Sequence, residues 1–134
     1  MKNHIKNHIK NHSQGFLGLV QDALTRVNEI DIDRVKQVLE NNPNTIIIDV
    51  REDSEWQQGH LPNAIHLGKG IIERDIEKLY PDHDQPVILY CGGGFRSALA
   101  CDNVQKMGYT QVLSMKGGYS AWLEAGYEIC PKKN

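Results

Sequence analysis

The sequence predicts a single α/β domain with a central, mostly parallel sheet and helices on both faces. Helical and strand-like patterns alternate along most of the chain, which is the order that builds a parallel sheet. Residues 46–50 and 87–90 are short runs rich in β-branched and other apolar residues, typical of strands that helices cover on both sides. At 134 residues, the chain can bury about two-thirds of its unfolded surface, so its core needs no disulfides.

Helices are predicted wherever apolar residues recur every three or four positions. A lead-in helix covers residues 15–28, and a second helix follows with Asp31 or Asp33 as its cap. Further helices are predicted at 52–58, at 72–79, from Ser97 onwards and after Gly117-Gly118, and short strands at 65–67 and 112–115. The apolar positions of these helices are Phe16, Val20, Leu24, Val27, Val35, Val38, Leu39, Ile72, Ile76, Leu79, Ala100, Cys101, Val104, Met107, Tyr119, Trp122 and Leu123.

Residues 1–14 form a separate leader that contains a Lys-Asn-His-Ile repeat. The repeat is typical of a flexible, low-complexity segment or an expression tag. A helical leader would instead place His4, His8 and His12 on one face, where they could chelate a divalent metal. The domain proper is expected to span residues 29–130.

Composition excludes several classes of protein. The formal net charge of −2 gives no basis for a nucleic-acid partner, and no apolar run approaches the roughly 20 residues that span a bilayer. Three scattered cysteines without a Cys-x-x-Cys pair predict neither a disulfide scaffold nor zinc. An odd cysteine count favours a reducing compartment, so a cytoplasmic protein without a metal or cofactor is expected.

The segment from Cys91 to Ser97 carries the strongest chemical signal. Cys91 ends a predicted strand, and Gly92, Gly93 and Gly94 let the backbone turn its amides into one concavity. The start of the next helix adds unpaired N–H donors and a positive dipole end. Such a loop binds anions and favours the thiolate form of its cysteine. The flanking residues Phe95, Arg96 and Ser97 complete the predicted site, and the guanidinium of Arg96 is suited to binding an oxyanion.

A structural interpretation of the same loop is also possible. A thiol at a strand end is commonly a small core residue, and glycines can serve close helix packing. The conjunction of strand end, cysteine, three glycines, arginine and helix start favours a reactive nucleophile.

Four ordered motifs make the chain resemble the rhodanese-like family of sulfurtransferases between about Asp31 and Gly126. The motifs are Asp49-Val50-Arg51 with Glu55, Gly59-His60-Leu61-Pro62-Asn63-Ala64, Cys91-Gly92-Gly93-Gly94-Phe95-Arg96-Ser97, and Gly117-Gly118 with Trp122. The third matches the family's active loop, Cys-x-x-Gly-x-Arg-Ser.

The resemblance implies that Cys91 accepts the outer sulfur of a donor such as thiosulfate, becomes a persulfide, and passes the sulfur to cyanide or a thiol. It also implies that the backbone amides from Gly92 to Ser97 surround the terminal sulfur. A protein sulfur donor or acceptor is a further option. Because Arg96 is the only charged residue of the loop, we expect thiosulfate to be a poor donor and a persulfide the natural one.

Two other functions compete with this interpretation. A phosphatase or arsenate reductase of the same fold resembles Cys-x5-Arg, whereas four residues separate Cys91 from Arg96 here. This shorter loop favours a single sulfur atom over a phosphoryl group. A non-catalytic binding or regulatory module is the second alternative, and the presence of Cys91 counts against it.

The remaining polar candidates have structural interpretations that we favour. Asp49, Arg51 and Glu55 are expected to form an ion-pair cluster, and His60 to be a hydrogen-bonding anchor. Phe95 either borders the pocket mouth or packs against a helix, and Ser97 bonds the sulfur, caps its helix, or does both. Cys101 is expected to be a buried, inert thiol, whereas Cys130 could resolve the persulfide only if the tail approaches Cys91.

Overall fold

The computed structural model describes residues 12–132. Its helices are α1 (Gln14–Leu24), α2 (Ile32–Asn41), α3 (Asp53–Gln58), α4 (Ile72–Leu79), α5 (Phe95–Lys106) and α6 (Gly118–Glu124). Its strands are β1 (Asn28–Ile30), β2 (Ile46–Asp49), β3 (Gly59–His60), β4 (Ile65–His66), β5 (Val87–Tyr90), β6 (Val112–Met115) and β7 (Cys130–Pro131). Within these residues, no helix combines the length and apolar character needed to cross a membrane.

Five strands form the predicted parallel sheet, in the order β1-β6-β5-β2-β4. β5 lies at the centre, between β6 and β2, so Cys91 follows the central strand. β3 and β7 form a separate antiparallel ladder of two residues each. The carboxyl ends of parallel strands share one edge, which is where α/β sheets bind ligands. The topology therefore places Cys91 in the position expected of a functional residue.

The sheet divides the core into two layers because successive side chains of a strand point to opposite faces. On β5 and just beyond it, Leu89 and Cys91 belong to one buried cluster, while Ile88 and Tyr90 belong to the other. The first cluster includes buried residues of α4 and α5, and the second includes residues of α2 and α6. The fold class is thus confirmed, with helices on both faces.

Several predicted boundaries and burials differ in the structure. The lead-in helix ends at Leu24 rather than at residue 28, because residues 28–30 pair with β6 as a strand. The helix after the loop begins at Phe95 rather than Ser97, since Gly94 serves as its N-cap. Leu79 and Leu123, two of the apolar positions of the predicted helices, are 53% and 47% exposed and lie near the ends of short helices.

A buried ion pair stands where β2 ends. Arg51 Nη2 lies 2.8 Å from Asp49 Oδ2, and both residues are almost fully buried. The same guanidinium donates to the carbonyl of Gly59 at 2.6 Å and lies 4.1 Å from the centre of the Tyr119 ring. The predicted ion-pair cluster is confirmed for Asp49 and Arg51, which connect β2 to the turn at Gly59 and to α6.

Helix α6 fixes the start of the loop through its first amides. The N–H groups of Tyr119 and Ser120 donate to the carbonyls of Cys91 and Gly92 at 2.8 and 3.0 Å. This close approach requires glycine at position 118, where φ is +60° and a Cβ would lie 2.5 Å from the Cys91 carbonyl oxygen. Gly118 is therefore the contact point between the loop and α6.

We expect Arg51→Met to lower the free energy of unfolding by about 3–5 kcal/mol, because it leaves the Asp49 carboxylate buried without its partner. Urea unfolding measures the change. Arg74→Met is the matched control, since Arg74 pairs with Asp75 at the surface, and it should cost less than about 1 kcal/mol. Equal losses in the two variants would contradict a special role for the buried pair.

We expect Gly118→Ala to be more destabilising than Gly126→Ala by at least about 2 kcal/mol. Both glycines have positive φ, but a Cβ at position 126 meets nothing within 4 Å, so that variant bears only the backbone strain. Urea unfolding of both variants separates the steric clash from the strain. Similar stabilities would show that the loop and α6 can separate without loss.

Candidate active site

The sulfur of Cys91 lies within hydrogen-bond distance of two backbone amides of the loop. The amides of Gly94 and Ser97 donate to Sγ at 3.1 and 3.3 Å. Gly94 makes this possible because its φ of +99° turns the chain back over the sulfur, and a Cβ there would lie 3.2 Å from the Gly117 amide nitrogen. Cys91 is only 1% exposed. Of the amides from Gly92 to Ser97, those of Gly94 and Ser97 therefore bond the sulfur.

Two serine hydroxyls extend from the sulfur into the core. Ser97 Oγ lies 3.5 Å from Cys91 Sγ and 2.8 Å from Ser114 Oγ on β6. Both serines are fully buried, so each hydroxyl must find its partners inside the protein. Sequence reasoning did not find Ser114. Its signal was present, since it is the single polar residue of a four-residue strand beside the central one.

The guanidinium of Arg96 forms an ion pair with the carboxylate of Glu55. Arg96 Nη1 and Nη2 donate to the two carboxylate oxygens of Glu55 at 2.7 and 3.0 Å. Glu55 thus forms an ion pair as expected, but its bonded partner is Arg96 rather than a member of the Asp49–Arg51 pair. The hydrogen bonds from Arg96 hold the pKa of the Glu55 carboxyl below its usual range, although partial burial opposes them.

Glu55 is held in place by its own helix as well. The backbone N–H of Glu52, the residue before α3, donates to Glu55 Oε1 at 3.1 Å. This is one half of a capping box, in which a first-turn carboxylate satisfies an N–H at the helix start. The Arg96–Glu55 pair lies against the loop backbone, since a Cβ on Gly92 would lie 3.1 Å from Arg96 Nη2.

Phe95 packs towards the lead-in helix. Its ring centre lies 6.3 Å from that of Phe16 on α1 and 5.2 Å from the ring of His12. The contact with α1 supports the packing interpretation of Phe95. Gly92 and Gly93 are half-buried, as is Phe95 itself, so this part of the loop forms the partly open side of the site.

The other two cysteines lie outside the loop from Cys91 to Ser97. Cys101 is fully buried on α5, which confirms its predicted burial, and that burial raises the pKa of its thiol. Cys130 lies in β7 and pairs with His60 of β3, so its role as a resolving thiol stays a prediction. His60 contacts the Leu61 carbonyl through Nδ1 at 2.9 Å and stacks on Trp56 at 3.6 Å, as an anchoring residue does.

The metal hypothesis for the leader lies largely outside the described residues, which include His12 but neither His4 nor His8. In residues 12–132, no three His, Cys, Asp or Glu side chains are grouped as metal ligands. The candidate site is thus a cysteine whose sulfur accepts two backbone amides and whose thiol donates to the Ser97 hydroxyl, and the amides are suited to holding a sulfur anion or an anionic group bonded to that sulfur.

Comparison with known proteins places the chain in a family. The sequence model of the Rhodanese-like domain matches residues 31–125. A sulfurtransferase of Allochromatium vinosum is 35% identical over 103 residues, covering 77% of this chain and 94% of the relative. The thiosulfate sulfurtransferase GlpE of Coxiella burnetii is 31% identical over 77 residues, covering 58% and 70%.

Comparison with solved structures shows a shared fold. A Rhodopseudomonas palustris protein of unknown function, called a possible tyrosine phosphatase, superposes with a TM-score of 0.80 at 25% identity, covering 90% of this chain and 97% of that one. The family match covers most of the chain and includes the loop, both flanking elements and α6. The chain belongs to the rhodanese-like domain family.

Proposed function

We propose that this protein is a sulfurtransferase that carries a sulfane sulfur as a persulfide on Cys91. Relatives named as sulfurtransferases support transferase activity in general. The observation that carries the proposal is the position of Cys91 Sγ within bonding distance of the Gly94 and Ser97 amides. The two amides stabilise a negative charge on a sulfur at this position.

The transfer would occur in two steps. In the first, the Cys91 thiolate attacks the outer sulfur of a donor such as thiosulfate. The donor's S–S bond breaks, its electron pair leaves with sulfite, and a new S–S bond forms at Cys91. In the second, an acceptor such as cyanide or a thiolate attacks the terminal sulfur, and the Cys91 thiolate is released as the leaving group. No electron is gained or lost overall, because the sulfur moves at constant oxidation state.

The loop suits both states of the cysteine. The negative charge lies on Sγ before transfer and on the sulfur bonded to it afterwards, a displacement of one S–S bond. The amides of the loop and the dipole of α5 favour a negative charge at both positions. Ser97 adds a hydroxyl donor that can rotate towards whichever sulfur is charged.

The phosphatase alternative is less favoured by the site. Phosphoryl groups are frequently bound by a guanidinium that donates to two of their oxygens. Both terminal nitrogens of Arg96 bond Glu55, and only four residues separate Arg96 from Cys91. Hydrolysis of an aryl phosphate that is lost in Cys91→Ser would reverse this judgement.

We expect intact-mass measurement to show the gain of one sulfur atom after the protein is incubated with a donor, and no gain in Cys91→Ala. Thiosulfate, glutathione persulfide and mercaptopyruvate are tested in turn. Cys130→Ala serves as the control and should load as the unaltered protein does. Sulfur gain in Cys91→Ala would move the carrier to another thiol, and no gain with any donor would favour a binding module.

We expect Ser114→Ala to lower the rate of Cys91 alkylation at neutral pH by about 3- to 10-fold, the worth of one buried hydrogen bond in a polarised chain. Without Ser114, the Ser97 hydroxyl loses the partner that directs its proton towards sulfur. Ser114→Thr retains a hydroxyl and should keep most of the rate. Equal rates in Ser114→Ala and the unaltered protein, at equal stability, would limit Ser114 to packing.

A further inference from the structure

We propose that Glu55 determines the class of sulfur donor: by neutralising Arg96, it favours the persulfide of a thiol over dianionic thiosulfate. This inference rests on the proposed function, since it concerns the donor that loads Cys91. Glu55 would thereby select between sulfur donors, whereas the sequence pattern indicated only a structural ion-pair role for it.

The contacts show that Arg96 and Glu55 act as a closed pair. Each carboxylate oxygen of Glu55 accepts a bond from a different terminal nitrogen of Arg96, at 2.7 and 3.0 Å. The Glu52 amide adds a third donor to Glu55 Oε1. The two side chains retain 32% and 36% exposure, so the pair faces the partly open side of the site rather than the core. An incoming donor meets a pair of zero net charge.

The nearest arginine in sequence to this pair offers no compensating charge. Arg51 is bonded to Asp49 and is buried, so these four side chains sum to zero. Glu52 and Asp53, both exposed at the start of α3, add negative charge close to Glu55. The remaining loop residues, three glycines, Phe95 and Ser97, carry no charge. Within the loop itself, the capacity to bind an anion therefore comes from neutral dipoles.

The two donor classes differ in the charge they bring to this site. Thiosulfate brings two negative charges to a thiolate that already carries one. A protonated persulfide, R–S–SH, brings none at the reacting end: the thiolate attacks its outer sulfur, the S–S bond breaks, and R–S⁻ leaves with the electron pair. The proton first stays on the transferred sulfur as Cys91–S–SH, so charge is conserved in this step, and its later release to solvent gives the anionic persulfide. A neutral-dipole site suits the second reaction better than the first.

The test compares Glu55→Gln with the unaltered protein for two donors, thiosulfate and cysteine persulfide. Glutamine can still accept the Glu52 amide at this position of a capping box, so α3 is retained. Single-turnover loading of Cys91 is followed by intact mass at low ionic strength. We expect Glu55→Gln to raise the second-order loading rate with thiosulfate by about tenfold, the Coulomb effect of one charge on a dianion a few ångströms away in a water-like dielectric.

The same substitution should change loading by cysteine persulfide by less than about threefold, because the reacting end of that donor is uncharged. Added salt should speed thiosulfate loading of the unaltered protein by screening the repulsion, and should do so less in Glu55→Gln. Glu124→Gln is the matched control: it removes the same charge at the exposed far end of α6 and should leave both rates unchanged. The double variant Arg96→Gln with Glu55→Gln should not show the higher thiosulfate loading rate, because it again has no net charge at this pair.

Each outcome separates this inference from the proposed function. A lower or unchanged thiosulfate rate in Glu55→Gln, with persulfide loading intact, overturns the specificity role and leaves Glu55 structural. Equal gains for both donors would indicate a general loosening of the loop and would also overturn it. Failure of the unaltered protein to load from either donor would instead refute the proposed function. Thermal unfolding of every variant checks that the rates compare folded proteins.

Discussion

The site depends on the two backbone hydrogen bonds that α6 donates to the carbonyls of Cys91 and Gly92. In a trans peptide, the carbonyl and the following N–H point in opposite directions. Once these two carbonyls are directed to α6, the amides of Gly92 and Gly93 must point away from it, on the other side of the loop. The orientation of these two amides is therefore set by a helix more than twenty residues further along the chain, whereas the Gly94 and Ser97 amides that bond Cys91 Sγ are oriented by the positive φ of Gly94 and the start of α5.

Tyr119 joins this constraint to the buried ion pair. Its amide bonds the Cys91 carbonyl, and its ring lies 4.1 Å from the guanidinium carbon of Arg51. Arg51 in turn bonds Asp49 at the end of β2 and the carbonyl of Gly59. A substitution in the Asp49–Arg51 pair can thus shift the loop through Tyr119, which contacts both. The sequence motifs before and after the loop are therefore connected to each other and to the loop by direct contacts.

The sequence predicted those features that consecutive residues determine. A strand, cysteine, glycines and helix start follow one another directly, so the loop and the central strand were predictable. Features that depend on distant pairing were not: β1 has three residues and is defined by its partner β6, and β3 and β7 have two each. Glu55 and Arg96 are 41 positions apart, and the nearer Asp49 and Arg51 suggested a different partner for Glu55.

The charge balance of the site follows from the same arrangement. Backbone amides and hydroxyls provide fixed dipoles, which stabilise a single negative charge without attracting an anion from a distance. Arg96, which would extend that attraction, is bonded to Glu55 by both terminal nitrogens. Since the charge on the cysteine moves by only one S–S bond during transfer, the fixed dipoles serve its thiolate and persulfide states alike. A site of this kind stabilises the carrier in both states and leaves the choice of donor to the paired charges beside the loop.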